Sequence, residues 1–192
     1  MIKNIRMQLA NFSYTSTVIV FLFAMTFSAC SYADQFVQWN EEVKLNDGRV
    51  IVVGEKKRIG GIIARETWMT INLPEFSMGP IVWHENLKPL VVNINGGQLY
   101  VVGIPPTEVE FNLYGKPRPN YVGFVWEKNE WTRIPFEKIP ESIYKTNMLL
   151  EGLPPKGVTL LTLDRKNSKE VNAAIGMPLQ LKNIDPKYFF NY

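Results

Sequence analysis

The sequence predicts a mainly β fold, an antiparallel sandwich or partly open barrel built from hairpins, with one or two short helices near the C-terminal third. Three observations predict it. From Phe36 onward, apolar and polar residues alternate with period two, the pattern of half-buried strands. Short runs of Asn, Asp and Gly separate these stretches, where a tight hairpin needs positive φ. The 13 prolines all lie in this body, and a long helical bundle would not tolerate them.

The elements follow in chain order. Val37, Trp39, Val43 and Leu45 share one strand face, opposite Gln38, Asn40, Glu42 and Lys44. Glu41 interrupts the apolar face, so that face is expected to be open at its middle. Asn46-Asp47-Gly48 makes the turn, and Arg49 to Glu55 returns with the β-branched run Val50 to Val53. Gly54 and Gly60-Gly61 read as bends or bulges. Thr67, Met69, Ile71 and Leu73 alternate with Trp68, Thr70 and Asn72 in a strand that stops at Pro74. Leu90 to Ile94 and Gln98 to Ile104 flank Asn95-Gly96-Gly97. Tyr121 to Trp126 and Trp131 to Ile134 flank the turn 127–130. A helix is expected over Pro140 to Leu150, burying Ile143, Met148 and Leu150 and stopping at Gly152. Val158 to Leu163 reads as a short strand, Lys169 to Ile175 as a short helix capped by Ser168 and ended by Gly176 and Pro178, and Leu179-Gln180-Leu181 as a last strand.

The chain has 192 residues, 46% of them hydrophobic. That is ordinary for a globular protein and excludes wholesale disorder. The net charge of +3 belongs mostly to the first 33 residues, which hold Lys3 and Arg6 and no acid. The rest carries 19 bases and 18 acids. A nucleic-acid binder needs a clustered basic face. The densest cluster, Lys56-Lys57-Arg58, reads as a solvated turn, so no nucleic-acid partner is expected.

The leader reads as an export signal. Lys3 and Arg6 precede the apolar stretch Val18 to Ala29, which at 12 residues is short of the roughly 20 that span a bilayer and fits a signal-peptide core. Two processing sites compete. Ser31-Tyr32-Ala33 has the small-x-small pattern of ordinary cleavage, which would free a periplasmic or secreted protein beginning at Asp34. Phe27-Ser28-Ala29-Cys30 resembles a bacterial lipobox. That resemblance implies a signal peptide over 1–29, acylation of Cys30 and a single domain over 30–192. Ser31 after the cysteine implies sorting to the outer membrane, facing the periplasm. Each buried acyl methylene contributes roughly 0.8 kcal/mol of membrane affinity.

Two body segments carry a second resemblance. Trp39-Asn40-Glu41-Glu42-Val43-Lys44-Leu45-Asn46-Asp47-Gly48-Arg49-Val50-Ile51-Val52-Val53 is one, and Glu130-Trp131-Thr132-Arg133-Ile134-Pro135-Phe136-Glu137-Lys138-Ile139-Pro140 is the other. Both resemble segments of small exported lipoproteins of Gram-negative bacteria. The resemblance implies an envelope location and brings no activity, cofactor or catalytic residue.

Residue types restrict the chemistry. A lone cysteine closes no intramolecular disulfide, and one Cys with one His makes no conventional zinc cluster. Asp164, Asn167 and Glu170 do not match the ligand spacing of an EF-hand. Gly60-Gly61 lacks the Lys-Ser or Lys-Thr of a phosphate loop, and no Gly-x-Ser-x-Gly elbow is present. No metal or cofactor is expected. His84 is the single histidine, and Glu85 beside it should face the other way on a strand. Glu41 and Glu42 face apart for the same reason, which makes them a poor acid/base pair. Glu41 alone, beside Trp39 and Val43, is a possible acid with a raised pKa.

Aromatic residues make up 12% of the chain. Trp83, Tyr121, Trp126 and Trp131, with Phe124 near them, form a possible binding surface for a glycan or a protein. Tyr188, Phe189, Phe190 and Tyr192 make an aromatic tail expected to dock on the body or a partner. The reading that results is an envelope-anchored binding or structural lipoprotein, an adaptor or accessory subunit. Its partners are the bilayer, through Cys30, and an unidentified envelope protein or glycan. The alternatives are a carboxylate-dependent hydrolase of cell-wall glycan, with Glu41 as its acid, and a periplasmic inhibitor or immunity protein.

Overall fold

The chain divides into two compact units, Met1–Ala33 and Asp34–Tyr192. A computed structural model describes residues 35–60, 63–150, 153–166, 168 and 182–189. Cys30 and the rest of the leader lie outside the described residues. So do Gly61, Gly152, Asn167, Glu170, the helix expected at 169–175, the strand expected at 179–181, Phe190 and Tyr192.

Two antiparallel meanders follow one another. The first runs β1 (Gln35–Lys44), β2 (Val50–Gly60), β3 (Ile63–Ile71) and β4 (Ile81–Glu85). The second runs β5 (Lys88–Asn95), β6 (Gln98–Ile104), β7 (Val122–Glu127) and β8 (Glu130–Ile134). A two-residue strand, β9 (Leu160–Leu161), adds to β1 in parallel, so the sheets are ordered β4-β3-β2-β1-β9 and β5-β6-β7-β8. Two short helices are α1 (Glu108–Leu113), between β6 and β7, and α2 (Leu163–Lys166), after β9. The architecture is the sandwich that the alternation predicts, with no closed barrel.

The turns use the residues that tolerate them. Gly48 has φ 89°, Gly96 and Gly97 have φ 56° and 76°, and Lys128 and Asn129 have φ 53° and 62°. Positive φ at two successive positions matches the twist of tight hairpins.

The sheets differ in how they are covered. Val43, Val53, Met69, Ile71, Ile81 and Trp83 of the first sheet pack against Val92, Leu99, Val101, Val122 and Phe124 of the second. Trp83 meets Phe124 edge-on, with ring centroids 5.6 Å apart and planes at 81°. The second sheet's other face, with Leu90, Tyr100, Val102 and Val125, is buried under Ile139, Ile143 and Ile184. Strands buried on both faces read as continuous apolar runs, as Leu90-Val91-Val92 and Leu99 to Val102 do. In the first sheet burial alternates residue by residue, because its outer face stays open.

Four local expectations are corrected. The helix expected at 140–150 is only a single 3-10 turn at Glu141–Ile143. Beyond it the backbone is extended: Asn147 and Met148 donate to the Leu90 carbonyl, and Thr146 to that of Lys182. The Asn147 carboxamide accepts from Val92 N–H at 3.0 Å and donates to its carbonyl at 2.7 Å. A side chain that satisfies backbone groups elsewhere in this way competes with helix formation. Ile143 and Met148 are buried nonetheless, while Leu150 is half-buried. Leu163, expected to end a strand, opens α2. Gly54 is no bulge: the β2 register runs through it, and shifts between Arg58 and Ile59 instead. Lys56 to Arg58 lie within β2 and are no turn, and Lys57 points inward and is buried.

Helix α1 was not expected. Its signal is Thr107-x-x-Glu110 after two prolines, the form of a capping box. Thr107 Oγ1 accepts from Val109 N–H and bonds the Glu110 carboxylate, which Arg65 reaches from β3 at 3.0 Å.

Candidate functional site

Strand registry arranges the outer face of the first sheet in rows. His84, Trp68, Lys56 and Gln38 are cross-strand neighbours in one row. Val82, Thr70, Gly54, Asn40 and Leu160 form the next. Glu66, Arg58 and Phe36 form the row on the other side. Phe36, Val50, Val52 and Val82 are each about half exposed on this face.

The middle row is stacked. His84 lies parallel to Trp68, with centroids 4.4 Å apart. Lys56 Nζ sits 5.2 Å from the Trp68 centroid and 4.7 Å from that of Phe36. Glu66 ties the arrangement together, accepting from Arg58 Nε at 2.7 Å and meeting His84 Nε2 at 2.7 Å. Partial burial works to raise the Glu66 carboxyl, but these hydrogen bonds outweigh it and hold it below the usual carboxylate range. His84 is thus a surface residue of an aromatic and charged ladder. Glu85 turns away from it and accepts from Tyr114 Oη at 2.6 Å.

Beside the ladder lies an open groove of about 400 Å³. Gly54 is on its floor, with Gln38, Asn40, Lys56, Trp68, Thr70 and Thr159 around it.

The inner face of the same sheet holds a buried charged group. Glu41 is fully buried, and its Oε1 accepts from Lys166 Nζ of α2 at 2.8 Å. Lys166 Nζ also donates to the carbonyls of Glu42 and Asn147, at 2.7 and 2.6 Å. Glu55, opposite Trp39 across the β1–β2 pair, is buried as well. Its carboxylate has no hydrogen-bond partner, and the nearest cation is Lys57 Nζ at 3.8 Å. Burial pushes the Glu55 carboxyl well up, with the Glu41 charge adding to the shift and Lys57 and Lys166 opposing it.

These positions revise the expected site. Trp83 is entirely buried and Tyr121 nearly so, hence neither offers a surface. Both rings fill the core, where their area stabilises more than it would in water. Trp126 and Trp131 pair across the hairpin at 5.3 Å and are half-buried. Trp131 Nε1 donates to the Val82 carbonyl at 3.0 Å. Glu41 was expected at an open stretch of its face; it is sealed in, because Lys166 neutralises it there. Trp68, which the alternation placed beside Thr70 and Asn72, and Phe36 are the aromatic residues on the open face of the first sheet. Of the C-terminal aromatics, Tyr188 packs near Tyr121, with centroids 6.2 Å apart, and Phe189 lies under Arg118 at 5.8 Å.

Among the described residues, no group of three His, Cys, Asp or Glu side chains is placed to hold a metal ion, and no helix is long and apolar enough to cross a membrane. No family model, curated protein or solved structure matches the chain.

Proposed function

We propose that the chain is a binding module of the bacterial envelope, tethered by acyl chains on Cys30 to the periplasmic side of the outer membrane, with the outer face of the first sheet as its docking surface. One observation carries this reading: the second sheet is covered on both faces, whereas the first leaves Phe36, Val50, Val52 and Val82 half exposed on a continuous face. Exposed apolar area rimmed by charge is typical of interaction sites. The arrangement of ionisable groups agrees with binding more than hydrolysis. Glu41, Glu55 and Lys57 are buried, away from any substrate. The leader motif and the sequence resemblance support the tether.

Two measurements test it. The intact mass of the protein from its native membrane fraction should begin at Cys30 with added acyl groups, and Cys30→Ala should lose them. A photo-crosslinking residue at Val52 should capture an envelope component that the same residue at Val109, on α1, does not. A mass beginning at Asp34, or equal capture from both positions, overturns the corresponding half of the proposal.

A further inference from the structure

Gly54 has no structural need to be glycine. It sits mid-strand, outside the set of glycines with positive φ. An added Cβ would lie 3.5 Å from Thr70 Cβ and 3.6 Å from Asn40 Oδ1, which is ordinary contact. Two other strand glycines differ. A Cβ on Gly123 would meet Ile139 at 2.7 Å, and one on Gly103 would meet Leu87 at 3.0 Å. Glycine in a strand interior weakens it by roughly 0.5–1 kcal/mol relative to alanine. What glycine does at position 54 is leave the floor of the groove open.

The groove's neutral polar side chains are also uncommitted, and its lysine is held only by aromatic rings. Among the described residues, the side chains of Gln38, Asn40, Thr70 and Thr159 hydrogen-bond to no protein group, and Lys56 has no carboxylate partner. Carboxamides and hydroxyls both donate and accept, which matches the hydroxyl groups of a sugar. Trp68 lines one side of the groove and gives it an apolar border, with its ring fixed between His84 and Lys56. Lys56 is the charged side chain on the groove's border, its ammonium resting against the Phe36 and Trp68 rings, since the buried Glu55 carboxylate points to the opposite face of β2. The nearby Glu66 is already paired with Arg58 and His84. The site's charge therefore complements an anion.

We infer that the groove over Gly54 binds a saccharide bearing a carboxylate group, with Gln38, Asn40, Thr70 and Thr159 reading its hydroxyls and Lys56 its carboxylate. This rests on the docking face proposed above and specifies its ligand. A volume of about 400 Å³ suits a small-ligand site.

Calorimetric titration of the full chain in detergent tests it, with tetragalacturonate as the acidic probe and chitotetraose as the neutral one. Tetragalacturonate should bind at least tenfold more tightly than chitotetraose. Trp68→Ala should weaken that binding tenfold or more. Lys56→Gln should abolish the preference for the acidic probe. Gly54→Ala should weaken binding at least fivefold while leaving the melting temperature unchanged or higher, an outcome that damage to the fold would not give. Met78→Ala, on an exposed loop, should change nothing. No binding of tetragalacturonate, or binding indifferent to Gly54→Ala and Lys56→Gln, overturns the inference. If the saccharide fails but Val52 still captures a protein, the docking face stands and only its ligand is wrong. If both fail, the face itself is not a docking surface.

Discussion

Lys166 and Glu41 meet at 2.8 Å on the buried side of β1 although they stand 125 positions apart. Helix α2 thereby ties the segment after β9 to the middle of β1. The ammonium group makes two further bonds, to the carbonyls of Glu42 and Asn147, so its hydrogen-bonding capacity is used in one place.

Breaking that pair from one side should be costly. Lys166→Met leaves Glu41 charged, buried and unpaired, a change that costs about 3–5 kcal/mol. The double variant Glu41→Met with Lys166→Met should recover more than half of the loss, since no uncompensated charge remains. Urea denaturation of the four proteins in the cycle measures this. Equal instability of the single and double variants would mean that Lys166 stabilises through the two carbonyls and not through Glu41.

Glu55 predicts a pH dependence of the opposite sign to most carboxylates. Its folded-state pKa is raised to about 8, so the folded chain holds a proton that the unfolded chain releases at lower pH. Below the usual carboxylate range both states are protonated and the group has no effect. As pH rises from there towards about 8, folding is progressively disfavoured, and above that the loss is complete. Glu55→Gln removes the titration. Its melting temperature should exceed that of the parent by about 3 °C or more at pH 9, and the difference should close by pH 4. A gap that does not vary with pH would show that Lys57 keeps Glu55 at an ordinary pKa.

The same two carboxylates show where reading the sequence stops. Alternation places Glu41 on the apolar face of its strand, and turn residues locate hairpins in both meanders, but the unbroken run Val50 to Val53 gives no face to Glu55. What makes Glu41 tolerable there is Lys166, a residue with no local signal that it would cross the fold. An open middle was the natural expectation for β1, and a sealed ion pair is the outcome. Trp83 and Trp68 show a related limit. Trp68 alternates with Met69 and Ile71 and shares its side with Thr70 and Asn72, so the pattern put it on the outward face, whereas Trp83, between Val82 and His84, carried no comparable sign of facing the second sheet. That depends on which face of the first meander the second one covers. The groove was illegible for the same reason: Asn40, Gly54 and Thr70 converge only through the β1–β2 and β2–β3 registers. The continuous apolar runs of β5 and β6, by contrast, carried a readable sign of burial on both faces.

Trp131 bears on how the sandwich protects its edges. β4 ends the first sheet and pairs only with β3, which leaves its far side as a template for another strand. The Trp131 indole, from the edge strand of the second sheet, donates to the Val82 carbonyl at 3.0 Å and covers that side. Trp131→Phe keeps an aromatic partner for Trp126 but removes the donor, whereas Trp131→Ala removes both. Aromatic pairs are worth about 0.5–1.5 kcal/mol beyond their buried area, so Trp131→Ala should lose at least that much stability and Trp131→Phe less. The edge argument adds a separate expectation, that self-association tracks the missing donor. Sedimentation velocity over a concentration series should show dimers or larger species in both variants and a monomer in the parent. If only Trp131→Ala associates, bulk over the edge is what protects it. If neither does, the β4 edge is guarded by the twist and shortness of the strand, and the Trp131 bond serves only to hold the two sheets together.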